Sequence, residues 1–158
     1  MLIPNRNMSS AIVVAALTPF IGTNTVDFMT FCKGPALTDA QVAGLTAVSN
    51  ALIQNAKVGV IANSAGLAMG ASSNTAVPPV LLASTLPATK TFTVSGVGST
   101  PVTITHAVVK STYGGTTQFC VVDVGLLNSG AVVQVDNTSV VDGSVVTLQS
   151  IQFKIWRS

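Results

Sequence analysis

His106 is the single histidine of this 158-residue chain, so any acid–base chemistry would have to begin there. It stands in "TITHAVV", in the middle of an alternating apolar stretch that suits a β-strand. A Ser-His-Asp set can be put together on paper from His106, Asp123 and one of many serines, but no spacing motif ties them. The chain has no Glu, and its five acids are all Asp, which leaves little for paired-carboxylate catalysis. Asp136 and Asp142 flank the turn "DNTSVVDG", where a calcium loop would need denser oxygen ligands at alternating positions. Both are expected to shape turns through their side chains instead. "GLAMG" and "GVGST" contain glycines without the phosphate-loop spacing or the capped helix that follows one. Cys32 and Cys120 are expected as two buried thiols, since a bridge requires their Cα atoms within about 7 Å. The expectation is a chain with no catalytic residues, cofactor or metal site, and so not an enzyme.

The elements that would position these residues are built from an unusual composition. Hydrophobic residues make up 48% and charged residues only 8%, against about 25% charged in an average globular domain. No apolar run reaches the length of a membrane span, and "AIVVAALTPFIG" is short and broken by Pro19. Its flanks do not suit a secretory signal either. The seven Lys and Arg are scattered, with no basic stripe interleaved with aromatics, which points away from nucleic acid. The surface must then be covered by Ser, Thr, Asn, Gln, Gly and Ala. Burying neutral surface costs less than burying unpaired charge, and interface cores are depleted of charge. This composition favours a subunit packed against other chains.

Residues 8–20 pair β-branched composition with helical spacing, Ser9 or Ser10 offering a cap and Gly22 a stop. "TVDFMTFCKGP" predicts a strand covered on both faces, with Val26, Phe28 and Cys32 on one and Met29 and Phe31 on the other. "LTDAQVAGLTAVSNALIQNAK" predicts one helix over 38–57, with a Thr38/Gln41 capping box and a stripe of Leu45, Val48 and Leu52. Residues 62–89 are rich in Ala, Ser, Gly and Pro, yet too apolar for a solvated tether, and are expected as an excursion packed on the domain or on a neighbour. From residue 90 onward strands recur every 10–15 residues, with Phe92, Val94 and Val97 facing inward and Gly114-Gly115 as a hairpin turn. In the last strand, "SVVTLQSIQFKI", Val146 and Leu148 share one parity while Ile151, Phe153 and Ile155 share the other. A β-bulge near Gln149-Ser150 would turn both sets inward; a regular strand would leave one set facing out, as a subunit contact.

Two stretches resemble a family of small virion proteins of tailed bacteriophages. "RNMSSAIVVAALTPFIGTNTVDFMTFCKGPA" follows the family's order of Arg-Asn, short helix, Ile-Gly step, strand and turn, with "FCKGP" in place of the usual Tyr-Ser-Gly and one residue fewer before the proline. "YGGTTQFCVVDVGLLNSGAVVQVDNTSVVDGSVVTLQSIQFKI" is similar to its C-terminal strand, "GTT", strand, Asn-Thr-Ser and final alternating strand. The resemblance implies a helix at 8–20 and a structural role in head, neck or tail; it carries over no catalytic residue.

The expected fold is mainly β with two helices, an α+β chain built on an antiparallel β-sandwich or jelly-roll-like domain. A single domain is expected, with an arm at 1–10, the excursion at 62–89 and a β-rich core at 90–158. The expected function is a non-enzymatic virion subunit, first a capsid decoration (cement) protein, with a neck, collar or tail accessory or a carbohydrate-binding adhesin as alternatives. Its expected partners are further copies of itself and the major capsid protein or neck and tail subunits, with no membrane and no nucleic acid. The expected contact residues are Leu2, Ile3 and Pro4, then Leu67, Met69, Val80, Leu81 and Leu82, and finally Trp156.

Overall fold

The computed structural model describes residues 25–62, 80–84, 90–113 and 115–154, with backbone alone at 25–28, 62, 80–84, 112–113 and 152–154. The helix expected at 8–20 lies outside them. The described residues form nine strands: β1 (Thr25–Lys33), β2 (Lys57–Ala62), β3 (Val80–Ser84), β4 (Thr91–Thr93), β5 (Val102–Tyr113), β6 (Thr116–Leu126), β7 (Val133–Val135), β8 (Ser139–Val140) and β9 (Val145–Lys154). Two short helices, α1 (Asp39–Ala43) and α2 (Ala51–Ala56), sit between β1 and β2.

The strands form one sheet in the order β2-β1-β5-β6-β7-β9-β3, with β4 on β9 and β8 on β5. The fold is therefore mainly β with two helices, and its sandwich-like layering takes the form of a nearly closed barrel. The seam lies between β2 and the chain around β4: Ser95 N donates to Val58 O at 3.1 Å, and the Phe92 ring stacks on Phe31 with centroids 4.4 Å apart. Phe92 also covers Gly59, where a Cβ would overlap its ring. The side chain missing at Gly59 is what lets the two edges approach.

Phase changes along the strands keep apolar residues inside. In β9, Leu148 pairs with Val135 and Ser150 with Gln134, leaving Gln149 as the extra residue of a bulge. Val146, Leu148 and Ile151 are all buried in consequence. The slip in the final strand is thus a bulge at Gln149. Phe92 and Val94 are buried and Val97 packs against the same core, in line with the alternation of "KTFTVSGV".

The helix expected over 38–57 is a correction. It stops at Gly44 after five residues and restarts after Asn50, whose Oδ1 accepts from Leu52 N at 3.0 Å. The Thr38/Gln41 capping box is present, but Lys57 opens β2 rather than closing the helix. A glycine costs about 1 kcal/mol in a helix interior, and the Asn50 cap offers the chain a second start. Leu52 of the expected apolar stripe is 39% exposed, and Ile53 is the buried residue of α2.

β6 and β7 run parallel although only residues 127–132 join them, where parallel neighbours ordinarily need about a dozen residues or more. Gln134, buried at the middle of β7, ties the return: its Oε1 accepts from Asn128 N at 3.1 Å and its Nε2 donates to Ala131 O at 3.3 Å. Asn128 takes a left-handed backbone with φ 66°, and Gly125 leaves the space that the Ser129 side chain fills.

Candidate functional site

The barrel carries a second, outer core on one face. Successive residues of a strand point to opposite faces, so β1 sends Met29 and Phe31 into the barrel and Cys32 outward. Cys32 meets Leu45, Ile53 and Val108 beneath the segment that holds α1 and α2. β1 is thus covered on both sides, as its sequence suggests; the side chains of Val26 and Phe28 lie outside the described residues.

His106 belongs to this outer layer. Cys32 pairs with His106 and Lys33 with Ile104, so Thr105 is the extra residue of a bulge on β5. The bulge turns Ile104 into the barrel and His106 outward, where it is 2% exposed. On the other side His106 pairs with Asp123 of β6. Register therefore places a thiol, an imidazole and a carboxylate in one row across three strands. The sequence shows these residues one by one; the row exists only once non-local pairing is set.

The hydrogen bonds fix what the row can do. Thr105 Oγ1 lies 2.6 Å from Gly34 O and donates there, its one proton being used. His106 Nδ1, 2.9 Å from Thr105 Oγ1, must then be the donor of that contact. Nε2 is left as the bare, unprotonated nitrogen, buried and without a hydrogen-bond partner among the described residues. Burial lowers the His106 pKa below its ordinary 6.5, because it disfavours the cation. Asp123 does not engage the imidazole: its Oδ1 accepts from Val132 N at 3.0 Å. Burial pushes the Cys32 thiol up to about 11, so it stays protonated near neutrality. A protonated thiol is a poor nucleophile, and a neutral imidazole held by Thr105 is not oriented by a carboxylate.

Two clefts open on either side of the loop 34–37. One, of about 700 Å³, lies between α2 and the start of β5 with Lys33, Gln41 and Asn55 on its walls. The other, of about 570 Å³, lies between α1 and β6 and includes Asp39, His106, Cys120 and Asp123. Cys120 packs toward the barrel core while Cys32 packs outside it, and both are free thiols. Burial pushes Cys120 up to about 12. The two acids of the expected turns act as acceptors: Asp136 Oδ1 from Thr147 N and Asp142 Oδ1 from Val97 N, each at 2.8 Å.

The expected contact residues lie outside the described residues, or have only their backbone described. Leu2, Ile3, Pro4, Leu67, Met69 and Trp156 lie outside the described residues. Val80, Leu81 and Leu82 form β3 on the β9 edge, with backbone described and side chains not. Strand polarity puts the start of β1, the end of β2, the start of β3 and the end of β9 at the same end of the strands. The segments bearing those residues all join the barrel there. The opposite end exposes Leu126 and Leu127, with Val145 on the outer face of β9 nearby in strand order.

Comparison with protein-family models, with curated proteins and with solved structures finds no match.

Proposed function

We propose that the chain is a non-enzymatic structural subunit of a tailed-phage virion, with capsid decoration as its first assignment. The observation that carries the reading is a surface almost without charge: 8% of all residues are charged, while Leu126, Leu127 and Val145 stand about half exposed or more. Such a surface is suited to burial against neighbours. The resemblance of the stretches from Arg6 to Pro35 and from Tyr113 to Ile155 supplies the virion context. Many weak copies on a lattice would add up to firm attachment through avidity.

Sedimentation velocity of the full chain across a concentration series tests the packed-subunit part. Association that grows with concentration, and falls in a Leu127→Asp variant, supports it. A monodisperse monomer at the highest concentration overturns it. For the virion part, antibody labelling of intact particles carrying the chain is expected to decorate the head shell. Label confined to the neck or tail moves the assignment there, and a free monomer that binds glycan replaces it with the adhesin.

A further inference from the structure

We propose that residues 34–56 form a pH-operated cover: proton uptake by His106 releases this layer from the outer face of β1, β5 and β6 while the barrel stays folded. The proposal rests on where the imidazole sits and is independent of the virion reading. His106 is buried between the sheet and the layer, and its Nδ1 is joined through Thr105 Oγ1 to Gly34 O, the first carbonyl of the cover. Its Nε2 faces no acceptor among the described residues. A second proton would place a buried donor and a buried charge where nothing receives them.

The groups around it do not relieve that charge in the closed state. From β1 come the thiol of Cys32 and, at the strand end, Lys33; from α1, Asp39; and from β6, Asp123, the Cys120 thiol turning toward the barrel core instead. α2 contributes no titratable side chain. Neither nitrogen of His106 meets a carboxylate. Opening the cover is the least costly relief. α1 and α2 have five and six residues, too few to be stable alone. Because His106 points away from the barrel core, its exposure disturbs none of the interior.

The sign follows from linkage. The open state binds a proton with the ordinary affinity, near pH 6.5, and the closed state binds it more weakly. The cover is therefore firmest above that pH and loosens as pH falls through it. With one histidine in the chain, side-chain titration between pH 5 and 8 centres on His106.

Cys32 is the built-in reporter, since it lies fully buried beneath the layer. In full-length Cys120→Ser protein, the labelling rate of Cys32, corrected for thiol ionisation, is expected to rise up to about 30-fold from pH 7.5 to pH 5. The additional change His106→Leu is expected to flatten the profile. Hydrogen exchange of the unaltered protein gives an independent reading: amides of 39–56 should speed up at pH 5, after correction for intrinsic rates, while those of β5 and β6 hold. A flat profile in the parent, a rise that persists in His106→Leu, or simultaneous loss of protection in layer and barrel each overturns the proposal.

Discussion

Phe31 and Cys32 are neighbours on β1, both fully buried, and they belong to different cores. Phe31 enters a barrel interior to which sixteen buried residues, among those described, contribute from eight strands and the chain beside β4. Cys32 enters an outer cluster of four buried residues, to which the covering segment supplies Leu45 and Ile53, with Leu37 and Ala56 partly buried against them. The interior is cross-braced by strand ladders on nearly every side. The outer core is held by two short helices, their caps and the link from Thr105 to Gly34. Equal burial at two adjacent residues thus conceals unequal support. Local stability follows the number of independent anchors around a side chain rather than its exposure alone.

The largest expected effect separates the two cores directly. Phe31→Ala removes a ring stacked on Phe92 at the barrel seam and should cost about 3–5 kcal/mol of global stability, read as a lower denaturant midpoint for all strands together. Ile53→Ala should act on the cover, raising hydrogen exchange across 39–56 more than it lowers that midpoint. Equal global losses from both substitutions would break the distinction between the regions.

A pair of deletions in β9 tests how the interior is kept in phase. Removing Gln149 takes out the bulge residue yet leaves Leu148 and Ile151 two positions apart and both facing inward. Its cost should stay below about 1 kcal/mol, the usual range for a change away from core packing. Removing Thr147 instead turns Val146 outward and breaks its pairing with Phe92. That should cost about 2–3 kcal/mol from the valine alone. Thermal unfolding of the two variants checks the order, and a reversed order would mean that the bulge, not the burial parity, holds β9 in register.

The same contrast explains what the sequence makes visible. Alternation is a local signal, so the inward sets of β4 and β9, and the slip at Gln149, can be located before any partner strand is known. The Thr38/Gln41 box is equally local and is present. The break in the 38–57 helix joins two local signals, Gly44 and the Asn50 cap, to a tertiary one: Leu45 leaves the helix and is buried in the outer core. β8 hides in "NTSVVDG" because two residues pair with β5 across a long sequence separation. The parallel β6–β7 pair and the Cys32–His106–Asp123 row have no local signature, since each follows from register between distant segments. The tautomer of His106 needs one more step, the short bond from Thr105 to Gly34.

The smallest expected effect lies at the start of α1. Thr38 Oγ1 accepts from Gln41 N at 3.4 Å, while Gln41 Oε1 accepts from Thr38 N at 2.9 Å. Thr38→Ala should remove about 1 kcal/mol of helix stability. α1 buries none of its own residues, so the loss should remain within the cover. Hydrogen exchange of 39–44 should rise roughly fivefold for that energy, with the barrel midpoint unchanged within error. Because the variant leaves His106 and its Thr105 partner in place, it should raise Cys32 labelling at every pH by a similar factor. A change in the shape of the pH profile would mean that α1 itself takes part in the switch. A parallel shift assigns α1 to the mechanical stability of the cover and leaves His106 as its trigger.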